Sequence, residues 1–176
     1  EIMPSLVGSE MCIRDRLWSQ PIASLQVLMK DNVWRTVRHK PNALVVNLGD
    51  SLYFLSGGYL QATIHRVVAP PEDQIQYCRL NVLYFAMFDN ETKLLPIQES
   101  EVAQEAYKHH KFWEERIRNG EPVPTSQEWN ALRISRYGQK HSKLGSDGHH
   151  HEIIAGHNVT LYNDTQGYPR TTAVAT

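Results

Sequence analysis

Gln61-Ala62-Thr63-Ile64-His65-Arg66-Val67-Val68, closed by Pro70-Pro71, is the stretch on which the fold turns. It is rich in β-branched residues, which suit a pleated, half-buried surface, and it stops where two prolines forbid a central strand from continuing. A strand has period two, so Thr63, His65 and Val67 share one face while Ile64, Arg66 and Val68 share the other. Upstream, Ala43-Leu44-Val45-Val46-Asn47-Leu48 is an apolar run short enough for a buried strand and ends at Gly49-Asp50. Ser51 to Leu55 is a further short apolar stretch, ending at Gly57-Gly58 where the backbone can turn sharply. Before that, Ser24 to Met29, the turn-forming Lys30-Asp31-Asn32 and Trp34 to Val37 read as a hairpin. Downstream, Gln76 to Met87 is the longest β candidate. Short strands with Gly and Pro punctuation predict a mainly β sandwich or barrel.

After Pro96 the character changes. Glu99 to Arg118 is rich in Glu, Ala, Lys and Gln and ends at Asn119-Gly120, which predicts a helix. Thr125-Ser126-Gln127-Glu128 matches a capping box and opens a second helix that buries Trp129 and Leu132 and ends near Gly138. Residues 140 to 150 read as a polar loop, Ile153 to Tyr162 as one more strand, and the Thr171-Thr172-Ala173 end as frayed. Residues 1 to 16 carry neither sustained alternation nor a helical stripe.

At 176 residues, with 41% hydrophobic and 21% charged, the chain suits one globular domain. Eighteen basic against nineteen acidic residues give a formal charge of −1, so no global field would hold it on nucleic acid or an anionic membrane. The longest apolar runs fall short of the roughly 20 residues of a membrane helix. Two cysteines, Cys12 and Cys78, allow at most one bridge, and a reducing, cytosolic (cytoplasmic) location is the expectation. Sequons stand at Asn90, Asn158 and Asn163, but the N-terminal segment lacks the basic and apolar regions of a secretory signal.

Two strand faces carry the chemistry. His65 presents an imidazole on the Thr63–Val67 face, and in the later strand Arg79, Asn81, Leu83 and Phe85 share a face by the same period. If both strands line one cavity, a metal-type ligand and an anion clamp face each other. Taken on spacing alone, a strand His is a hydrogen-bonded structural residue and a strand Arg pairs with a local carboxylate. Other features read more plainly. Asp147-Gly148-His149-His150-His151-Glu152 is a solvated run, His109-His110 a half-exposed helical pair, and Cys78 a buried structural thiol. Trp18, Trp34, Trp113 and Trp129 are core or interface residues, too scattered for a base-stacking platform.

The string from Leu17 to Ile97 closely resembles the C-terminal catalytic region of the Fe(II)- and 2-oxoglutarate-dependent dioxygenases of the isopenicillin-N-synthase-like superfamily. Carrying the resemblance are Leu25-Gln26-Val27, Ala43 to Asp50, Leu55-Ser56-Gly57-Gly58-Tyr59, Thr63-Ile64-His65-Arg66-Val67, and Arg79-Leu80-Asn81 with Tyr84-Phe85. Lys93 to Ile97, Pro122 to Thr125 and Glu128-Trp129 resemble the helical extension of fungal members. The resemblance implies a double-stranded β-helix, or jelly roll, with a C-terminal helical extension. It divides the chain into an unmatched segment at 1–16, a partial jelly-roll core at 17–97, the extension at 98–162 and a tail at 163–176. It further implies Fe(II), 2-oxoglutarate and O₂ as cofactor and co-substrates, and a small organic molecule as prime substrate.

Residue by residue, His65 matches the distal iron-binding histidine and Arg79 the basic residue that pairs with the distal carboxylate of 2-oxoglutarate. Asn81 stands where many members place a serine, and its amide still donates. A neutral imidazole suits Fe(II), and a guanidinium fixes a carboxylate through two parallel hydrogen bonds. The family's His-x-Asp pair, which supplies the other two iron ligands, falls on Gly8 and Glu10, and no histidine precedes His39. Together with a first residue Glu1, this predicts a truncated or mis-joined product with foreign sequence at its front. Two other readings stay open: a non-catalytic jelly-roll binding module that has lost its triad, and a metal-binding protein using His149 to His151.

Overall fold

The computed structural model describes residues 7–8, 14–136, 143–147 and 149–161. Two antiparallel sheets build the N-terminal half. The first is ordered β1 (Val7–Gly8), β6 (His65–Val67), β3 (Leu25–Leu28), β4 (Trp34–Thr36), and the second β5 (Leu44–Leu48), β2 (Arg14–Trp18), β7 (Leu83–Ala86). The chain changes sheet at every step from β1 to β7 except from β3 to β4, so neighbours in sequence are seldom neighbours in a sheet. β2 is central in its sheet, pairing Leu17 with Val45 on one side and with Leu83 on the other. This strand runs through positions 16 and 17 without a break.

The expected hairpin forms β3 and β4. Asn32 takes φ 58°, its N–H donates to the Met29 carbonyl at 2.9 Å, and Asp31 accepts two bonds from Arg35 at 2.8 and 2.6 Å. Asparagine tolerates this left-handed conformation at low cost, which is why the turn falls there.

Four departures from the sequence reading have local causes. Asp50–Leu55 is a helix, α1, inserted into the run of strands. Gly49 enters it in an extended conformation, Asp50 places a carboxylate in its first turn, and Gly57 and Gly58 stop it at φ +66° and +89°. Second, the helix expected over 99–118 divides into α2 (Glu101–His110) and α3 (Glu114–Arg118) at Lys111, whose φ is 45°. That break turns Trp113 into the core, where it is fully buried and donates Nε1–H to the Leu94 carbonyl at 2.6 Å. Gly57 lies so close to α2 that a Cβ would overlap the Ala103 carbonyl. Third, Cys78 is exposed, not buried, because strand β7 begins only at Leu83 and the preceding segment is irregular. Fourth, the last strand begins earlier and folds back as a hairpin, β9 (His150–Ile154) and β10 (His157–Leu161), through Ala155-Gly156 at φ 49° and 79°. A short strand β8 (Lys143–Leu144) pairs with β9. Of the tryptophans, Trp34, Trp113 and Trp129 are buried and Trp18 is half exposed.

The helix α4 (Ser126–Arg136) starts on the capping box read from sequence. The Thr125 N–H donates to Glu128 Oε2 at 2.9 Å and the Glu128 N–H to Thr125 Oγ1 at 3.2 Å. Phe54, Leu55, Leu94, Trp113, Val123, Trp129, Ile154 and Val159 form one buried cluster that joins α1, the helical extension and the β9–β10 hairpin. The largest core therefore lies in the C-terminal half, leaving the space between the two N-terminal sheets for a cavity. Among the described residues no helix is long and apolar enough to cross a membrane.

Candidate active site between the sheets

A cavity of about 570 Å³, counting its mouth, lies between the two sheets. Its walls are Leu25 and Val27 of β3, His65 and Val67 of β6, Asp15 and Leu17 of β2, Val45 and Asn47 of β5, and Leu83 and Phe85 of β7, with Arg79 and Asn81 ahead of β7. Every one of these numbers is odd, the signature of strands that each turn one face inward. His65 and Arg79 thus meet in one cavity, His65 from strand β6 and Arg79 from the irregular segment ahead of β7, where the sequence pattern predicts a strand from Gln76 to Met87. The cavity walls are mostly apolar with a few polar groups, as in small-molecule sites.

His65 is oriented by its own strand. Its Nδ1 lies 2.9 Å from the Thr63 carbonyl, which only accepts, so Nδ1 carries the proton and a neutral ring keeps its lone pair on Nε2. That tautomer is the one a metal-ligating imidazole uses when its other nitrogen is anchored to a backbone carbonyl. On the opposite face of the same strand Arg66 is buried, stacks 4.1 Å above the Trp34 ring and donates from Nε to Gln26 Oε1 at 2.9 Å. These contacts fix the strand that presents His65.

Arg79 is the polar group most in need of a partner. Its Nε–H is buried and has no hydrogen-bond partner among the described residues, and burial lowers the guanidinium's pKa below its ordinary value. A buried donor left unmade costs about 1–3 kcal/mol, so Arg79 is placed to take an acceptor that no described residue brings to it. Asn81 is two residues on and lines the same cavity.

Sequence reasoning missed two polar wall residues. Asp15 and Asn47 are paired across β2 and β5, and Asn47 Nδ2 donates to Asp15 Oδ2 at 2.8 Å. Asp15 is 2% exposed and its Oδ1 has no partner. The one signal is the alternation Arg14-Asp15-Arg16-Leu17, four residues at the end of a segment that carries no such pattern before them.

The described residues fit a dicarboxylate better than they fit a metal. No group of three or more His, Cys, Asp or Glu sits together among them. β1 brings Gly8 directly opposite His65, so the position matched to the family's first histidine has no side chain, and Glu10 lies outside the described residues. Of the three positions that the resemblance matches to iron ligands, His65 alone is both described and able to bind a metal. The run at His149 to His151 is tied up differently, with His151 Nε2 2.9 Å from the Asp147 carboxylate.

The sequence model of the 2OG-Fe(II) oxygenase superfamily matches residues 16–87. The 2-oxoglutarate-dependent dioxygenase frbH of Dothideomycetidae sp. (strain 11243) is 39% identical over 90 residues, which are 50% of this chain and 27% of frbH. Jasmonate-induced oxygenase 3 of Arabidopsis thaliana is 34% identical over 80 residues, 46% of this chain and 21% of its own. The chain therefore spans about a quarter of the length of these curated relatives. Among solved structures, a full-length Neurospora crassa protein in complex with alpha-KG and thymine superposes with a TM-score of 0.57 at 21% identity, covering 74% of this chain and 36% of that one. That likeness shows a shared jelly-roll fold, in keeping with the two facing sheets. Residues 16–87 build nearly all of both sheets and the cavity between them, and it is this part of the chain that the sequence model of the 2OG-Fe(II) oxygenase superfamily matches.

Proposed function

We propose that this chain is the co-substrate-binding part of an Fe(II)- and 2-oxoglutarate-dependent oxygenase acting on a small organic molecule. The observation that carries the reading is Arg79, whose guanidinium keeps a buried, unmade hydrogen bond in the cavity that also holds His65. Arg79 binds the distal carboxylate of 2-oxoglutarate, Asn81 donates a second contact at the mouth, and the apolar walls from Val27, Val67 and Leu83 exclude water from the carbon chain. His65 holds one position of the iron site. Bound iron, in the family, supplies the redox chemistry with O₂.

The two positions matched to the other iron ligands make a direct test. Succinate formation from 2-oxoglutarate with added Fe(II) is expected to be at background for the chain as it stands. Installing Gly8→His with Glu10→Asp restores the family's His-x-Asp sequence, its histidine at the position that pairs with His65, and turnover should then rise above background and vanish again on His65→Ala. A rebuilt chain that folds, binds 2-oxoglutarate and shows no metal-dependent turnover would sink the assignment of His65.

A further inference from the structure

The segment that brings Arg79 to the cavity is tied down at both ends and loose between them. At one end the Gln74 side chain accepts from the Ala23 N–H at 2.8 Å, and at the other the Trp18 N–H donates to the Val82 carbonyl at 3.1 Å. Both ties fall on the stretch by which the chain leaves β2, so residues 74–82 run back along it in the antiparallel sense of the β2–β7 pair. That ladder pairs Leu17 with Leu83 and stops. Continued in the same register, Trp18 faces Val82, Ser19 faces Asn81, Gln20 faces Leu80 and Pro21 faces Arg79. In an antiparallel pair the backbone groups of successive residues point alternately to the two sides. The Trp18 bond sets the phase, and the Ser19 N–H, which donates to the Ala43 carbonyl on the β5 side at 3.1 Å, agrees with it. Three bonds of the continued ladder are unmade: Val82 N–H to the Trp18 carbonyl, and the Gln20 and Leu80 N–H groups each to the other's carbonyl. Neither Gln20 nor any residue from Cys78 to Val82 donates its N–H to an acceptor among the described residues. Pro21, with no N–H to give, falls at a non-hydrogen-bonded position where proline breaks nothing.

We propose that a carboxylate bound by Arg79 closes this segment onto β2 and extends β7 back to Arg79, so that co-substrate binding and completion of the sheet are one event. The inference rests on the reading of Arg79 as the clamp for 2-oxoglutarate. Closure asks no side chain to change face. Arg79, Asn81, Leu83 and Phe85 already line the cavity, as one face of a single strand would, while Leu80 and Val82, 82% and 70% exposed, belong to the other face. The ligand supplies the sign. Without it, drawing the segment inward takes a guanidinium further from water with no acceptor for its Nε–H among the described residues. A carboxylate in the cavity pairs with that charge and turns the same movement favourable.

Amide exchange by NMR on the metal-free chain, with and without 2-oxoglutarate, tests this, and calorimetry establishes binding separately. At a ligand concentration about 100 times Kd, the Gln20, Leu80 and Val82 amides should slow roughly 10- to 100-fold, while the Asn81 amide, which points away from β2, keeps its rate. A second measurement uses Leu80→Pro. It removes an N–H that makes no bond in the ligand-free chain and holds Arg79 extended, so the denaturant midpoint should not move, yet affinity for 2-oxoglutarate should fall about two- to tenfold. Leu80→Ala, which keeps the N–H, should retain it. Binding without slowing of the three amides overturns the proposal and leaves the Arg79 clamp standing. So does slowing that includes Asn81 equally, protection already complete without ligand, or full affinity in Leu80→Pro. Absence of calorimetric binding removes the clamp, and this inference with it.

Discussion

Replacing Arg79 with methionine separates the cost of the guanidinium from its use. In the ligand-free chain the Arg79 Nε–H makes no hydrogen bond and burial works against its charge. An unbranched apolar stem in its place should leave stability unchanged or raise it by up to about 1 kcal/mol, because the unmade bond disappears with the group. Binding should respond in the opposite sense. A guanidinium holding a carboxylate makes two charge-assisted bonds, each worth about 1.5–3 kcal/mol when well enclosed. Arg79 is only partly covered, so solvent screening reduces the pair to about 2–3 kcal/mol, a loss of roughly 30- to 150-fold in 2-oxoglutarate affinity. Calorimetric titration with 2-oxoglutarate measures one quantity and the denaturant midpoint the other. Arg79→Lys, which keeps the charge but loses the fork, should recover part of the affinity. Unchanged affinity in Arg79→Met, with a folded protein, refutes the placement of the anion site.

Three further outcomes follow from the packing. Asp15 and Asn47 put a half-satisfied carboxylate and an amide into an otherwise apolar wall, so Asp15→Leu with Asn47→Val should raise stability by about 1–3 kcal/mol in chemical denaturation, whereas Asn47→Val alone should lower it. His157 is packed among Tyr53, Phe54, Phe112, Trp113 and Trp129, and burial, aided by the Arg133 charge, lowers its pKa from 6.5 to about 4. The unfolded chain therefore binds the extra proton first. Stability should be full above about pH 6.5 and fall by about 3 kcal/mol by pH 4, a slope that His157→Phe should flatten in a pH series of melting curves. Gly57→Ala demands both a left-handed backbone and an overlap with the Ala103 carbonyl, so it should cost more than about 2 kcal/mol and loosen the contact of α1 with α2 in hydrogen exchange.

What the sequence disclosed and what it withheld differ in physical kind. Period-two alternation is a local property, so the shared faces of His65 with Val67 and of Leu83 with Phe85 were legible, and both line the cavity, whereas Arg79 reaches it from the irregular segment ahead of β7 and not from the expected strand. Capping at Thr125 and Glu128 and the turn at Asn32 were legible for the same reason, since each is complete within a few residues. The helix at Asp50–Leu55 was not, because a six-residue apolar stretch has no periodicity that separates strand from helix. The break at Lys111 was hidden as well. It is imposed by the distant burial of Trp113 against Leu94, which overrides the helix propensity of the surrounding residues. Asp15 was missed because its strand partners, Asn47 and Phe85, are far along the chain.

The most direct measurement of the site is an isotope-filtered NOE experiment with ¹³C-labelled 2-oxoglutarate, recorded without metal on the methyl-labelled chain. Cross-peaks from the ligand methylenes to Val67 and Leu83, lost in Arg79→Met, are the predicted result, since these methyls line the cavity with Arg79. A ligand that binds and gives its cross-peaks to the Leu94 and Ile154 methyls of the helical extension instead would contradict the assignment of the cavity between the sheets.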